Sequence, residues 1–189
     1  MENQALLRTG FTLIELLVTL AVAAISVTYA INGFGSIYDR HRNATFLNRL
    51  HNSFNYARSL ALQSNSITTL CPLEPGSGKC TNDWHGTISI FIDSDNDREP
   101  DEGRIERVFD IPDEFHITVR PASKGYFQFT ASGLSHGTLG GLLICHQTEF
   151  VDFMAYAAMN MGGRYRDQAD NDHDGVIETS SGANLSCPS

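Results

Sequence analysis

The chain of 189 residues is close to the size of one domain, with room for an appendage but not for two full enzyme domains. Apolar residues at 41% and charged residues at 19% supply enough core to exclude a chain that is disordered or collagen-like throughout. With 13 Lys+Arg against 22 Asp+Glu the net charge is −9, which argues against a non-specific nucleic-acid coating protein and leaves room only for a local basic site.

The mean hydropathy of −0.19 conceals a block near the start. Residues 11–31 read FTLIELLVTLAVAAISVTYAI, with Glu15 as the only acidic or basic side chain. At 1.5 Å per residue such a helix covers the hydrocarbon core of a bilayer, about 30 Å thick, so a membrane-spanning helix is expected. A cleavable secretory signal has another order: charged start, short apolar run, then a small-residue cleavage site. Here the leader MENQALLRTG ends in Gly10 before the run begins, and no A-x-A site follows it. A charged, unpaired Glu15 in that run costs about a few kcal/mol and needs a partner. A cut after Gly10 would create an amine on Phe11, about one turn away, at the positive end of the helix.

Gly33 and Gly35 mark an expected bend where the helix leaves the bilayer. Helical periodicity then resumes through Phe46, Leu50, Phe54, Ala57, Leu60 and Ala61, with Arg40, Arg42, Asn48, Arg49, Asn55 and Arg58 elsewhere on the wheel. The arginines read as a solvated face near an anionic membrane, with an acidic-lipid or DNA patch as the alternative. Beyond Asn65 the pattern changes to short β-rich runs at 67–71, 87–93, 115–120, 126–131, 141–146 and 150–159, separated by turn clusters at 75–78 and 133–137. A long helix packed on an antiparallel β-sheet domain, an α+β fold, is expected.

Four cysteines, Cys71, Cys80, Cys145 and Cys187, all follow the apolar run. An even number on the outer side of a bacterial-type anchor suggests two disulfides. Three pairings are open; Cys71 with Cys80 closes a short Pro/Gly loop, and Cys145 with Cys187 ties the tail to a strand, so these two are favoured. A zinc site would want a C-x-x-C, which the chain lacks.

The segment Gly10-Phe11-Thr12-Leu13-Ile14-Glu15-Leu16-Leu17 resembles the signal of type IV prepilins and of type II secretion pseudopilins. The likeness extends downstream to the GspH/FimT group through Trp84-His85-Gly86, the acidic run Asp93 to Asp97, Gly103, Phe129 to Gly133, Cys145 and Gly163-Arg164-Tyr165-Arg166. Two departures stand out: Arg98 follows Asp97 where the group has Gly, and an acidic extension follows Arg166. The resemblance implies a pilin-like fold divided into a cleaved leader at 1–10, a transmembrane half-helix at 11–32, an amphipathic half at 33–66, and a periplasmic β-rich domain at 67–189. It also implies cleavage between Gly10 and Phe11 by a prepilin peptidase, methylation of Phe11, and use of Glu15 in docking. The implied role is a minor pilin of a type IV pilus at or near the tip, with a type II secretion pseudopilin as the alternative. Implied partners are other minor and major pilins and an inner-membrane assembly platform; the implied location is the inner membrane, then the fibre at the cell surface.

Two ligand sites are expected by resemblance or pattern. In DNA-binding relatives the G-R-x-R segment holds double-stranded DNA for uptake, which makes Arg164 and Arg166 candidates. Two arginines alternating on a strand leave on one side and can fork onto successive phosphates, and Gly162 and Gly163 would permit close backbone approach. The carboxylates that follow oppose a polyanion. The run Asp170-Asn171-Asp172-His173-Asp174-Gly175-Val176-Ile177 resembles the first eight positions of a calcium-binding EF-hand loop, so Asp170, Asp172 and Asp174 are calcium candidates, although Ser181 stands where the closing Glu belongs. The series Asp93, Asp95, Asp97 is a weaker version without the Gly. No cofactor is required by this reading. The G-x-S-x-G at 133–137 is read as a turn, because no helical pattern follows it and the segment after the helix is too short for an α/β hydrolase. No enzymatic activity is expected.

Overall fold

The computed structural model describes residues 11–120, 125–137, 139–147, 152–170, 174, 176–178 and 184–187, with the side chains of 29–33, 147, 169 and 178 excepted. The first element is α1, Leu13–Ser64, 52 residues long. It opens on Thr12, whose extended backbone and hydroxyl cap the amide of Glu15, and closes on Asn65 in the left-handed region, whose N–H returns to the Ala61 carbonyl. The helix passes through Gly33 and Gly35 as one element, so they do not divide it. A cost of about 1 kcal/mol per glycine is too small to break a helix that is propagated from both sides.

Eleven strands are described: β1 Thr68–Pro72, β2 Thr87–Ile92, β3 Arg107–Asp110, β4 His116–Arg120, β5 Phe127–Phe129, β6 Ser135–His136, β7 Gly140–Gln147, β8 Asp152–Met159, β9 Tyr165–Ala169, β10 Ile177–Glu178 and β11 Asn184–Leu185. They form two larger sheets, β3-β2-β1-β5-β6 and β4-β7-β8-β9, and the small hairpin β10-β11. Pairing is antiparallel throughout, with Leu70 opposite Ile90 and Ile144 opposite Ala155.

The second half of α1 lays Phe46, Leu50, Phe54, Ala57 and Ala61, all buried, into the core formed by both sheets. Phe46 stacks on Phe115 at 4.0 Å and Phe54 on Tyr165 at 4.3 Å, while Phe127 meets the edges of both Phe54 and Trp84. Helix and sheets are thus fastened by aromatic contacts from the second sheet, through Tyr165, as well as from the first, through Phe127. On the other face of β7 and β8 a smaller cluster of Leu143, Cys145 and Met154 is covered by Ile177 of β10.

Candidate functional site

The start of α1 is built from a threonine and a glutamate three residues apart. Thr12 Oγ1 accepts from the Glu15 N–H at 3.3 Å, the first half of a capping box, and Glu15 supplies negative charge to the first helical turn. That T-x-x-E signal is legible in the sequence and gives Glu15 a local task distinct from the docking expected of it. Every described side chain from Phe11 to Thr28 is exposed, including Phe11 at 82% and Leu13 at 76%. The hydroxyls in this stretch are turned inward on the helix: Thr19 donates to the Leu16 carbonyl, Ser26 to Val22 and Thr28 to Ile25. Such bonding satisfies polar groups that water would not reach in an apolar environment. Among the described residues no helix is long and apolar enough to cross a membrane. Gly10 lies outside the described residues.

Arg164 and Arg166 flank Tyr165, the first residue of the edge strand β9: Arg164 immediately precedes the strand and Arg166 lies on it. Tyr165 is buried against Phe54 and His51, so strand alternation turns both arginines outward, and neither forms an ion pair among the described residues. Burial raises the Tyr165 hydroxyl well above the ordinary tyrosine range, assisted by Asp167. Gly163 has φ +67 and lies so close to the Gly133 carbonyl that a Cβ would stand 2.2 Å from the oxygen. The close approach expected at this glycine is therefore made to a neighbouring turn. Arg58 Nε donates to the same Gly133 carbonyl at 2.9 Å, and the Ser135 N–H donates to the Met161 carbonyl, so helix and both sheets are locked behind the two arginines.

The acidic series differ. Of the C-terminal one, Asp172 lies outside the described residues, while Asp174 accepts from the Val176 N–H at 2.8 Å. In the other, Asp93 is wholly buried: Oδ2 accepts from Thr69 Oγ1 at 2.6 Å and Gln128 Nε2 at 3.0 Å, and Oδ1 from the Arg98 N–H at 3.2 Å. Asp97 points to the Glu99 amide, and Asp101, not Asp97, joins Asp93 and Asp95 in a group of carboxylates within 4.8 Å. Asp101 in turn accepts from the Ser94 backbone and hydroxyl. These acceptors hold a loop on the sheet, a role invisible in an alternating acidic pattern.

Disulfides join Cys71 to Cys80, with Cα atoms 5.6 Å apart, and Cys145 to Cys187, 5.8 Å apart. The first closes the loop after β1, and the second fixes the tail to β7, the two pairings favoured from spacing. His146, one residue on, is buried with Nδ1 2.6 Å from Asn43 Oδ1 and its ring against Phe115. Burial lowers its pKa, and nearby Arg42 adds to the effect. Ser135 lies in β6, paired with β5, and not at a strand-to-helix turn.

Comparison with known proteins agrees with this architecture. The family described as Type II transport protein GspH matches residues 47–158, and the prokaryotic N-terminal methylation motif matches residues 7–31. Two crystal structures of the Pseudomonas aeruginosa (strain PAO1) type IV minor pilin FimU are similar in fold. One is 18% identical with a TM-score of 0.54, covering 70% of this chain and 96% of FimU. The other is 19% identical with a TM-score of 0.50, covering 66% and 94%. Among curated proteins none matches. With more than half of its length matched by the family model and a methylation motif leading into the long helix, the chain belongs to the family of the Type II transport protein GspH.

Proposed function

We propose that this chain is a minor pilin of a type IV pilus, cut after Gly10, methylated on Phe11, and incorporated with other pilins at or near the tip. The observation that carries the reading is the methylation motif running directly into a capped helix whose first half exposes every described apolar side chain. An apolar surface of that length needs lipid before assembly and neighbouring helices after it. Residues 11–32 are read as the inner-membrane span, 33–66 as the half that carries the domain, and 67–189 as the periplasmic domain. Glu15 seeks the amine of an incoming or neighbouring Phe11. Prepilin peptidase and an assembly platform are the partners this route requires.

Deletion of the gene should abolish or shorten surface pili, with restoration by the wild-type chain and not by a Gly10→Leu variant, which should keep its leader. Normal piliation together with loss of protein secretion would assign the chain to a type II secretion machine, the reading favoured by the family's description. The outward Arg164 and Arg166, without an ion pair among the described residues, support contact with duplex DNA; unchanged DNA retention in the double alanine variant would remove that part. Calcium at Asp170, Asp172 and Asp174 would appear as a calcium-dependent rise in Tm that their substitution removes.

A further inference from the structure

Two histidines carried by different sheets meet on the surface of the domain. His85 lies in the turn that leads into β2 of the five-stranded sheet, and His116 is the first residue of β4 in the four-stranded sheet. Their ring centres are 6.1 Å apart, with the planes inclined at 65°. Each follows an aromatic residue that is almost wholly buried, Trp84 before His85 and Phe115 before His116, while both imidazoles are exposed. Burial of the two aromatics fixes the backbone on either side. The Ile111 N–H donates to the Gly86 carbonyl at 2.7 Å, and the Phe115 N–H to the Pro112 carbonyl at 3.0 Å. The turn carrying His85 is thereby tied to the connection that leads to His116.

One of the two rings is already oriented. His85 Nδ1 stands 2.8 Å from the Asp83 carboxylate, and the Asp83 N–H is held in turn by Thr81 Oγ1. An ionised carboxylate only accepts, so Nδ1 carries the hydrogen and the neutral ring presents its lone pair at Nε2. That carboxylate–imidazole pairing is the arrangement that sets the tautomer of a metal-bound histidine. The separation fits as well. With metal–nitrogen bonds of about 2.1 Å, two imidazoles on one ion place their ring centres about 5 Å apart at a tetrahedral angle and about 6.4 Å apart when opposed. The observed 6.1 Å lies inside that interval. Local charge favours a cation: the segments 81–87 and 108–119 hold Asp83, Asp110, Asp113 and Glu114 and neither Lys nor Arg. Of these four, only Glu114 is paired with an arginine among the described residues.

We propose that His85 and His116 bind a divalent transition-metal ion of the zinc or copper type, with Asp83 behind His85 as the positioning carboxylate. Imidazole nitrogen suits these ions, whereas magnesium and calcium take oxygen. Two protein nitrogens leave the remaining coordination positions to water, so the ion stays exchangeable. Its effect on the fold is that of a clasp: it joins the turn before a strand of one sheet to the first residue of a strand in the other. An ion that binds the folded chain alone raises its stability by mass action. The site shares no residue with either acidic series.

The test is titration of the full chain in neutral detergent, with Zn²⁺ by calorimetry and with Cu²⁺ by electron paramagnetic resonance. With free Zn²⁺ at about 100 times its Kd, the wild type should gain about 5 °C or more in Tm. His85→Gln and His116→Gln should each lose that gain and bind Zn²⁺ about tenfold or more weakly, and Asp83→Asn about tenfold more weakly. The copper spectrum should show coupling to two imidazole nitrogens in the wild type and in Asp83→Asn, and to one in either histidine variant. His136→Gln, on β6 at the opposite edge of the five-stranded sheet, should behave as the wild type. Because the substituted side chains are exposed, melts in EDTA should match the wild type, so that loss of binding is not loss of fold. Zn²⁺ affinity unchanged in either histidine variant, no rise in Tm, or a copper spectrum that neither variant alters would overturn the proposal and mark any bound ion as adventitious. Wild-type affinity in Asp83→Asn would overturn the positioning role. Processing and piliation play no part in this assay, so its failure leaves the pilin reading standing.

Discussion

The two halves of α1 share one backbone and meet opposite environments. Between Phe11 and Thr28 apolar residues occur on all sides and each is exposed; from Phe46 to Ala61 they form one stripe, and that stripe is buried. The difference shows that hydrophobicity alone does not place a helix: its distribution around the axis does. A stripe finds its partner within the chain, whereas an apolar cylinder must find it in lipid or in other subunits.

Shortening one large residue in each half should have opposite consequences. Phe54→Ala removes the ring packed between Tyr165 and Phe127 and should cost about 3–5 kcal/mol by denaturant titration. Leu20→Ala in the exposed half should change domain stability by less than about 0.5 kcal/mol while loosening membrane retention. Equal losses in both would mean that the first half packs on the domain.

Next in size is Asp93→Ala, which takes the acceptor from the buried Thr69 hydroxyl and from the Arg98 amide and one of three acceptors from Gln128, and should cost about 3 kcal/mol. The same change at exposed Asp95 should cost less than about 0.5 kcal/mol.

A smaller effect should follow pH. His146 has a folded pKa below its unfolded value near 6.5, so the unfolded chain binds the proton more readily. Its contribution is complete above about pH 6.5 and falls as the pH drops toward the folded pKa. Thermal melts should show Tm declining through that window, less so in His146→Gln; an identical decline in both would discard this assignment. The smallest effect is expected for Arg164→Ala with Arg166→Ala, both exposed at the start of an edge strand, which should leave Tm nearly unchanged.

The long helix, its apolar stripe and the main strands are legible in the sequence because their periodicities are strong. Other features escape for definite reasons. Strand β3 turns only Phe109 inward, and β9 has Tyr165 as its inward anchor, so neither edge strand presents an alternating apolar run. Asp93 reads as one of several exposed acids, yet it directly follows β2 and turns into the core toward Gln128, a partner 35 residues away. The contact of Gly163 with Gly133 joins two turns that no local pattern relates. Thr12 is a different case: the T-x-x-E cap is visible in the sequence, but the signal peptide motif around it commands attention first.

The mature protein is expected to begin at Phe11, two residues before α1. Intact mass measurement of the chain isolated from membranes tests this directly. The expected mass reflects loss of residues 1–10 and one added methyl group on the amine of Phe11; an unprocessed chain beginning at Met1, in cells whose other pilins are processed, would rule that processing out.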